Sequence, residues 1–137
     1  MERIHASCVA IQGRALLILG PSGAGKSSLA LQMIALGADL VSDDQTLLTA
    51  EAGRLIARAP AALSGLIEAR FVGLLNVPAV PQAEVVLAID LAQHETERLP
   101  PTRTITFCGI TCALAYSHAA PHLPASLICY LGNGRRA

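Results

Sequence analysis

Alternating side-chain character at the start of the chain predicts a β-hairpin. Along Ile4–Ile11, one side of the predicted strand carries His5, Ser7, Val9 and Ile11, and the other carries Ala6, Cys8 and Ala10. The tight turn Gln12-Gly13-Arg14 leads into the apolar run Ala15–Leu19, which predicts the second strand. Ser28–Leu36 then predicts a helix that ends at Gly37, because glycine readily adopts the left-handed conformation at a helix C-terminus.

The rest of the chain alternates short strand patterns with turn residues and ends on a helical pattern. In chain order, the predicted elements are a strand at Leu40-Val41-Ser42, a hairpin of Thr46–Thr49 and Arg54–Arg58, a helical turn at Ala61–Leu66, an extended segment at Val72–Val77, a strand at Glu84–Leu91, one or two strands within Thr104–Ala115, and a closing helix at His122–Leu131. This mixture predicts an α/β fold. At 137 residues, the chain is expected to form a single domain, residues 1–137.

Composition narrows the class of protein. Hydrophobic residues make up 53% of the chain and charged residues 15%, which is typical of a folded globular protein and not of a disordered one. The net charge is zero, so no nucleic-acid partner is expected, and Arg135-Arg136 is interpreted as a solvated tail. The apolar runs are far shorter than the ~20 residues that span a bilayer, and the N-terminus lacks a signal-peptide pattern. We therefore expect a cytoplasmic protein without a membrane partner.

The four cysteines indicate neither a metal site nor disulfide bonds. Cys8, Cys108, Cys112 and Cys129 contain no C-x-x-C pair, and the histidines do not complete a zinc-binding pattern around them. Each cysteine lies in an apolar stretch, where a free thiol behaves as a small core residue. We expect reduced thiols within the core.

A glycine-rich loop between the second predicted strand and the first predicted helix is the strongest indication of function. Residues Gly20–Ser27 read Gly-Pro-Ser-Gly-Ala-Gly-Lys-Ser, a complete G-x-x-x-x-G-K-[ST] phosphate-binding motif. The glycines allow consecutive backbone N–H groups to face an anion, Lys26 supplies an ammonium for the outer phosphates, and Ser27 supplies a hydroxyl for Mg²⁺. The motif predicts that a nucleoside triphosphate is bound with Mg²⁺ by Gly20, Pro21, Ser22, Gly23, Ala24, Gly25, Lys26 and Ser27.

Charged residues after the loop suit phosphoryl transfer. Asp43 and Asp44 end a predicted strand, sixteen residues after Ser27. One carboxylate can hold Mg²⁺ while the other accepts a proton from an attacking hydroxyl, and the alternative is a polar turn between two hairpins. Glu68 and Arg70 share a face if their segment is extended, which fits a metal-directed carboxylate beside a phosphate-directed guanidinium. A surface ion pair explains their spacing equally well.

Taken in order, these motifs resemble a known family. The set consists of Ile4-His5-Ala6, the Gly20–Ser27 loop, Leu40-Val41-Ser42-Asp43-Asp44, Ile67-Glu68-Ala69-Arg70, Gly73-Leu74-Leu75-Asn76-Val77 and Glu97-Arg98-Leu99. It resembles the catalytic domain of bacterial HPr kinase/phosphorylase over roughly residues 4 to 100. The loop by itself is unspecific, whereas the ordered set is quite specific.

The resemblance implies a fold and a reaction. Family members resemble phosphoenolpyruvate carboxykinase around the nucleotide site, so the expected fold is an α/β P-loop nucleotide-binding domain with a β-hairpin ahead of the P-loop. They use ATP and Mg²⁺ to phosphorylate a serine on HPr, the small carrier protein of the sugar phosphotransferase system. Many also reverse the reaction with phosphate and release pyrophosphate. They assemble as hexamers.

The resemblance also implies roles for individual residues. The catalytic residues would be His5, Lys26, Asp43, Asp44 and Arg98, the nucleotide-binding residues Gly20–Ser27 and Arg70, and the metal ligands Ser27, Asp43 and Glu68. Either Asp43 or Asp44 would be the base in the kinase reaction, with Asp44 slightly favoured. Without the resemblance, the local sequence predicts that His5 is a surface residue on an edge strand. It predicts that Arg98 is a solvated charge in a loop.

Three features depart from the family pattern. Only a few residues precede His5, whereas family members often carry an N-terminal domain, so a short form is expected. Phe71 replaces a glycine of the family's Glu-Ile-Arg-Gly-x-Gly segment and is expected to narrow the site. The family's later Pro-Gly-Arg segment, tied to dephosphorylation, has no counterpart in Cys108–Pro121, which weighs against phosphorylase activity.

The resulting hypothesis is an ATP- and Mg²⁺-dependent protein serine kinase that acts on HPr or a related phosphocarrier and forms a homo-oligomer. The alternative is an ATP-binding regulatory or sensor module with little transfer activity. A small-molecule kinase is a third possibility, which requires a pocket that the sequence does not reveal.

Overall fold

The computed structural model describes residues 1–60 and 65–137. The strands are β1 Glu2–Ile4, β2 Ala6–Ile11, β3 Arg14–Leu19, β4 Asp39–Ser42, β5 Thr46–Glu51, β6 Arg54–Arg58, β7 Leu66–Ala69, β8 Gly73–Asn76, β9 Gln82–His94, β10 Arg103–Phe107 and β11 Ile110–Ser117. The helices are α1 Lys26–Ala35 and α2 Leu123–Asn133. The fold is mixed α/β, and in the described part of the chain neither helix is long and apolar enough to cross a membrane.

The long strand β9 organises the main sheet. It pairs in parallel with β3 on one edge, and on its other edge it pairs antiparallel with β6 and then in parallel with β11. The path of neighbouring strands is β1-β5-β6-β9-β3-β2-β4, and β10 joins through β11. Because β2 is antiparallel to both β3 and β4, the C-terminal ends of those two strands flank its N-terminal end.

Both faces of the central strands are buried. On one face, α1 and α2 pack against the sheet, in a cluster that includes Val9, Leu16, Ile18, Met33 and Leu131. On the other face, the buried core residues of the described chain all belong to strands, among them Cys8, Leu17, Leu48, Leu55 and Cys112. Burial on both faces explains why β3 reads as a continuous apolar run and not as an alternating one.

The first predicted strand, Ile4–Ile11, is divided at His5. β1 pairs with β5, whereas β2 pairs with β3 across the Gln12-Gly13 turn. His5 lies at the bend between β1 and β2, so the interpretation as an edge-strand residue is wrong. The two sides predicted for β2 are correct, but both are buried, because helices cover one side and strands cover the other.

The other predicted strands and helices agree with the structure in type. Arg54–Arg58 has the same bounds as β6, and the others differ at one or both ends. α1 begins at Lys26, earlier than predicted, and Thr104–Ala115 falls on two strands, β10 and β11. The predicted helical turn at Ala61–Leu66 falls mainly on residues 61–64, which lie outside the described residues. Leu66 begins β7.

All four cysteines are free thiols, but they are not all core residues. Cys8 and Cys112 are buried, and burial raises the pKa of both thiols because it disfavours the thiolate. Cys129 is exposed on α2, so the prediction of a core thiol is wrong there. The helix turns Leu127 and Leu131 toward the sheet, which leaves Cys129 on the opposite side.

A bidentate ion pair across the β5–β6 hairpin gives a measurable pKa shift. Arg58 Nη1 donates to Glu51 Oε2 at 2.6 Å, Arg58 Nη2 donates to Oε1 at 3.1 Å, and Thr49 Oγ1 also donates to Oε2. The hydrogen bonds from Arg58 and then Thr49 lower the pKa of Glu51 to about 2. We expect Arg58→Gln to raise this pKa toward the ordinary value of 4.5, as measured by NMR titration.

Because the pKa of Glu51 is lower in the folded state, the pair stabilises the fold at pH values above 4.5, the ordinary pKa of the carboxyl. This contribution is small, because the pair is exposed, and it is lost as the pH falls toward about 2. Arg54→Gln is the control, because it removes a nearby positive charge that faces Glu84 and leaves the hydrogen bonds to Glu51 intact. A Glu51 pKa that stays near 2 in Arg58→Gln would contradict this account.

Candidate functional site

A cavity of about 590 Å³ lies where the Gly20–Ser27 loop, the turn after β4 and the end of β7 meet. Its walls are formed by His5, Ser22, Gly23, Gly25, Lys26, Ser27, Ser28, Leu31, Asp43, Asp44, Glu68, Ala69, Arg70 and Val72. The loop and the β4 turn meet because they follow the two strands that flank β2. The sheet topology therefore gathers most of the predicted charged residues around one space.

Glycines shape the backbone of the loop between β3 and α1. Gly23 and Gly25 have φ values of 84° and 101°, in the region that favours glycine. Gly25 is the N-cap of α1, and in the described residues this helix end has neither a capping side chain nor an acidic residue in its first turn. The first three residues of the helix, Lys26, Ser27 and Ser28, line the cavity, and a helix N-terminus of this kind attracts an anion.

Lys26 is buried, with an exposure of 7%, and its ammonium group is held against the loop. Nζ donates to the carbonyl oxygen of Gly20 at 2.7 Å and to that of Pro21 at 3.0 Å. An ammonium has three N–H donors, so these contacts leave one donor for a ligand in the cavity. The positive charge is screened less here than it would be on the surface.

The two aspartates after β4 have different partners. Asp43 Oδ1 accepts hydrogen bonds from Ser7 Oγ at 2.7 Å and from Ser27 Oγ at 2.8 Å. Asp44 has a φ of 68°, and its Oδ1 lies 2.5 Å from His5 Nε2. Asp43 is thus joined to the glycine-rich loop, whereas Asp44 is joined to the bend between β1 and β2.

Glu68 on β7 and Arg70 in the turn after it both line the cavity and are exposed. Among the residues that the structure describes, they form no ion pair with each other. The interpretation as a surface ion pair therefore does not hold. Both charged groups remain available to a ligand in the cavity.

Five residues expected at the site lie off the cavity wall, namely Gly20, Pro21 and Ala24 of the loop, Phe71 and Arg98. Arg98 lies in the exposed segment after β9 and is not one of the described residues that line the cavity. Phe71 is fully exposed and also lies off the wall, so the prediction that it narrows the site is wrong. Its φ of 70° explains why glycine suits this position, because a Cβ is strained in the left-handed conformation.

The oxygen donors near the loop are of the type that a hard divalent cation prefers. Ser27 Oγ and Asp43 Oδ1 are 2.8 Å apart, and Glu68 lines the same cavity. Within residues 1–60 and 65–137, no group of three or more His, Cys, Asp or Glu side chains is arranged to hold a metal ion. The donor set fits Mg²⁺, which usually combines one or two carboxylates with phosphate oxygens and water.

Ser7 contacts the site, and the sequence patterns do not single it out. It is fully buried in the apolar strand β2, where its hydroxyl donates to Asp43. The sequence does contain one signal that could have identified Ser7, a polar residue between apolar neighbours in a predicted strand. A hydroxyl that is buried there needs a hydrogen-bond partner. The other unpredicted lining residues are Ser28, Leu31, Ala69 and Val72.

Gly20 has less room for a side chain than the other loop glycines. A Cβ at this position would lie 3.1 Å from Ala24 Cβ and 3.2 Å from Leu91 Cβ, and its φ is 149°. We expect Gly20→Ala to lower the free energy of unfolding by about 1–3 kcal/mol in urea denaturation, because the surrounding backbone must shift. Gly132→Ala is the control, because it lies in α2 with open space around it and is expected to keep or raise stability. Equal stability of the two variants would contradict this prediction.

The conformation of Phe71 predicts a stabilising substitution. We expect Phe71→Gly to raise the free energy of unfolding by up to about 1 kcal/mol, because relief of the left-handed strain exceeds the added entropy of the unfolded chain. Phe71→Ala removes the exposed ring but keeps the Cβ, so it is expected to stay close to the wild type. If both variants are stabilised equally in thermal unfolding, strain at Cβ is not the cause.

Comparison with known proteins points to one family. The family described as HPr Serine kinase C-terminal domain matches residues 1–98. The HPr kinase/phosphorylase of Mycoplasmopsis pulmonis is 31% identical in an alignment of 103 residues, and the match covers 70% of this chain and 33% of that protein. The HPr kinase/phosphorylase of Clostridium tetani is 39% identical over 87 residues, which are 64% of this chain and 28% of that protein. The matched part is thus about a third of the length of these curated relatives.

A solved structure matches nearly the whole chain. The Hpr(Ser) kinase/phosphatase from Coxiella burnetii superimposes with a TM-score of 0.78 at 30% sequence identity. The match covers 96% of this chain and 94% of that one. The sequence and the fold are therefore similar to the same group of proteins.

Proposed function

The chain belongs to the HPr Serine kinase C-terminal domain family, and from this membership we propose that it is an ATP- and Mg²⁺-dependent protein serine kinase acting on HPr or a related phosphocarrier. The observation that carries the proposal is the division of the two aspartates. Asp43 is hydrogen-bonded to Ser27 of the glycine-rich loop, and Asp44 lies 2.5 Å from His5. In this proposal Asp43 would serve the phosphates and Asp44 the acceptor, and residues 1–137 would act as one catalytic domain.

In this proposal the Gly20–Ser27 loop is the phosphate-binding loop for ATP. Its backbone N–H groups and those at the start of α1 donate to phosphate oxygens. Lys26 adds a positive charge, and one of its donors is left after its contacts with two loop carbonyls. Arg70 lines the same cavity and would neutralise further phosphate charge.

Ser27, Asp43 and Glu68 would hold Mg²⁺. When bound, the cation neutralises charge that develops on the phosphate oxygens. The contribution of the chain is to keep these oxygens in place, and Ser27 Oγ already donates to Asp43 Oδ1 at 2.8 Å.

Asp44 would act as the base toward the serine of the carrier. The serine oxygen bonds to the γ-phosphorus as the bond to the departing ADP oxygen breaks, and the serine proton passes to the Asp44 carboxylate. Side-chain exposures of 65% for Asp44 and 42% for His5 leave this end of the cavity open to a protein substrate. The contact with His5 holds one carboxylate oxygen and leaves the other for the substrate.

The role of Arg98 and the direction of the reaction both concern segments that lie off the cavity wall. Arg98 is proposed as a catalytic helper from the resemblance, but it lies off the cavity wall, so the segment after β9 would have to bring it to the substrate. Phosphorylase activity is not proposed, because Cys108–Pro121 contains no arginine for phosphate. The relatives named above are kinase/phosphorylases or a kinase/phosphatase, so the missing arginine is a specific difference to test.

We also propose a cytoplasmic protein that assembles as a homo-hexamer. The location is supported by the substrates, because ATP and phosphocarriers of this system are cytoplasmic. The hexamer is supported by the resemblance to the family. Light scattering of the purified chain tests the assembly.

Replacement of the proposed base tests the kinase function. We expect Asp44→Asn to lower kcat for transfer from labelled ATP to HPr about 10²- to 10⁴-fold, with little change in KM for ATP, because Asp44 faces the acceptor. Asp39→Asn is the control, because Asp39 lies at the start of β4, outside the cavity wall. Transfer at the wild-type rate by Asp44→Asn would refute the assignment of the base.

The same assay separates the kinase from a regulatory or sensor module. Calorimetry with ATP and Mg²⁺ measures binding, and transfer is assayed against each phosphocarrier of the host. Tight binding without transfer to any carrier would favour the sensor. Where transfer occurs, mass spectrometry of the modified residue identifies the carrier and tests the specificity for serine.

A further inference from the structure

Ser7 makes two hydrogen bonds that reach both aspartates. It lies on β2 with 0% exposure. Its hydroxyl donates to Asp43 Oδ1 at 2.7 Å and accepts the backbone N–H of Asp44 at 3.4 Å. A hydroxyl has one donor and two acceptor lone pairs, so the two contacts are compatible. One buried side chain therefore contacts both members of the pair.

The core does not require a hydroxyl at this position. Val9, the next residue on the same side of β2, belongs to the apolar cluster under the helices, and a buried hydroxyl is costly unless it is hydrogen-bonded. Both of its hydrogen bonds lead to the turn after β4. The hydrogen bonds of Ser7 to that turn thus explain why a polar residue lies in β2.

The contact with Ser7 determines which oxygen of Asp43 is available. Oδ1 accepts from both Ser7 and Ser27, which uses its two lone pairs. Oδ2 accepts no hydrogen bond from the described part of the chain. The carboxylate is therefore oriented through one oxygen and offers the other to the cavity that Asp43 lines.

Ser7 also supports the unusual backbone of Asp44. A non-glycine residue keeps a φ of 68° only where its surroundings hold it there. At the ends of the turn, Ser42 Oγ and Thr46 Oγ1 are 2.5 Å apart, and Thr46 donates to the carbonyl oxygen of Ala6. These contacts tie the ends of the turn to β2, and Ser7 holds its middle.

We propose that Ser7 is a positioning residue that separates the roles of the two aspartates. It keeps Asp43 with Ser27 at the loop, and it holds Asp44 in the backbone conformation that places its side chain against His5. The inference rests on the proposed kinase function, in which the two carboxylates do different work. Ser7 is buried and does not touch the substrate, so it acts through Asp43 and Asp44.

Threonine and valine at position 7 form a matched pair, because they have nearly the same shape and differ in the hydroxyl. Both are favourable in a strand. We expect Ser7→Thr to keep kcat within about threefold of the wild type and Ser7→Val to lower kcat about 10- to 100-fold, because loss of the hydroxyl misplaces the carboxylates. KM for ATP is expected to change less than kcat, because the contacts of Lys26 and the loop backbone with phosphate do not involve Ser7.

Ser7→Ala covers the case in which both larger side chains disturb the packing, because it adds no atom to the core. Its kcat is expected to fall as in Ser7→Val, with urea denaturation run on every variant to compare stabilities. If Ser7→Thr is as stable as the wild type, a kcat of Ser7→Val equal to that of Ser7→Thr overturns the proposal. A kcat of Ser7→Ala equal to that of the wild type overturns it in either case.

A measurement without substrate separates this inference from the kinase function. Hydrogen exchange at the Asp44 backbone N–H is expected to be about fivefold faster in Ser7→Val than in Ser7→Thr at equal global stability. If the wild type transfers no phosphate but this difference is found, the kinase proposal fails and the support of the turn by Ser7 stands. Equal exchange rates overturn the inference whether or not transfer is observed.

Discussion

The antiparallel pairing of β2 with both of its neighbours is the constraint on which the site depends. Ala6 lies opposite Leu19 at the end of β3, and Cys8 lies opposite Ser42 at the end of β4. The glycine-rich loop therefore leaves the sheet on one side of the start of β2, and the aspartate turn leaves it on the other. His5 precedes β2 and stands between them. Burial on both faces makes this register strict, because a shift by one residue would exchange the helix-facing and strand-facing sides.

Those parts of the fold and site that depend on local signals could be predicted from the sequence. The Gly20–Ser27 motif specifies residue types at fixed spacing, and the alternation along β2 reports which side chains share a face. The break at His5 could not be predicted, because it arises from the pairing of β1 with β5, which is distant in sequence. The position of Phe71 off the cavity wall depends on a turn conformation that its residue type does not favour. Arg98 was placed at the site by resemblance alone, and no local pattern reports where a loop after a long strand lies.

The walls of the cavity are supported in two different ways. The loop extends from the central strand β3 and the aspartate turn from the edge strand β4, and both strands belong to the main sheet. Hydroxyl groups and backbone carbonyls hold the charged groups of both segments. Glu68 and Arg70 belong instead to the separate two-stranded sheet β7–β8, which packs on α1 and is anchored by the fully buried Ile67. The oxygen donors of Ser27 and Asp43 are thus tied to the main sheet, whereas Glu68 approaches them from an independent unit. The two units are joined by α1, which contacts both β2 and β7, and by backbone hydrogen bonds of Leu40 on β4 with Pro78 and Val80 after β8.

The close approach of Gly20 to Leu91 has a consequence for the order in which the molecule folds. Leu91 lies near the end of β9, so the loop packs against a strand that is synthesised long after it. The parallel pairing of β3 with β9 is a contact between distant parts of the chain, and closing so long a loop is among the slower events in folding. The residues of the anion-binding motif are adjacent in sequence, yet the packing that holds Gly20 is completed only with β9. The conformation of the loop at Gly20 therefore depends on the placement of β9 and not on a local element alone.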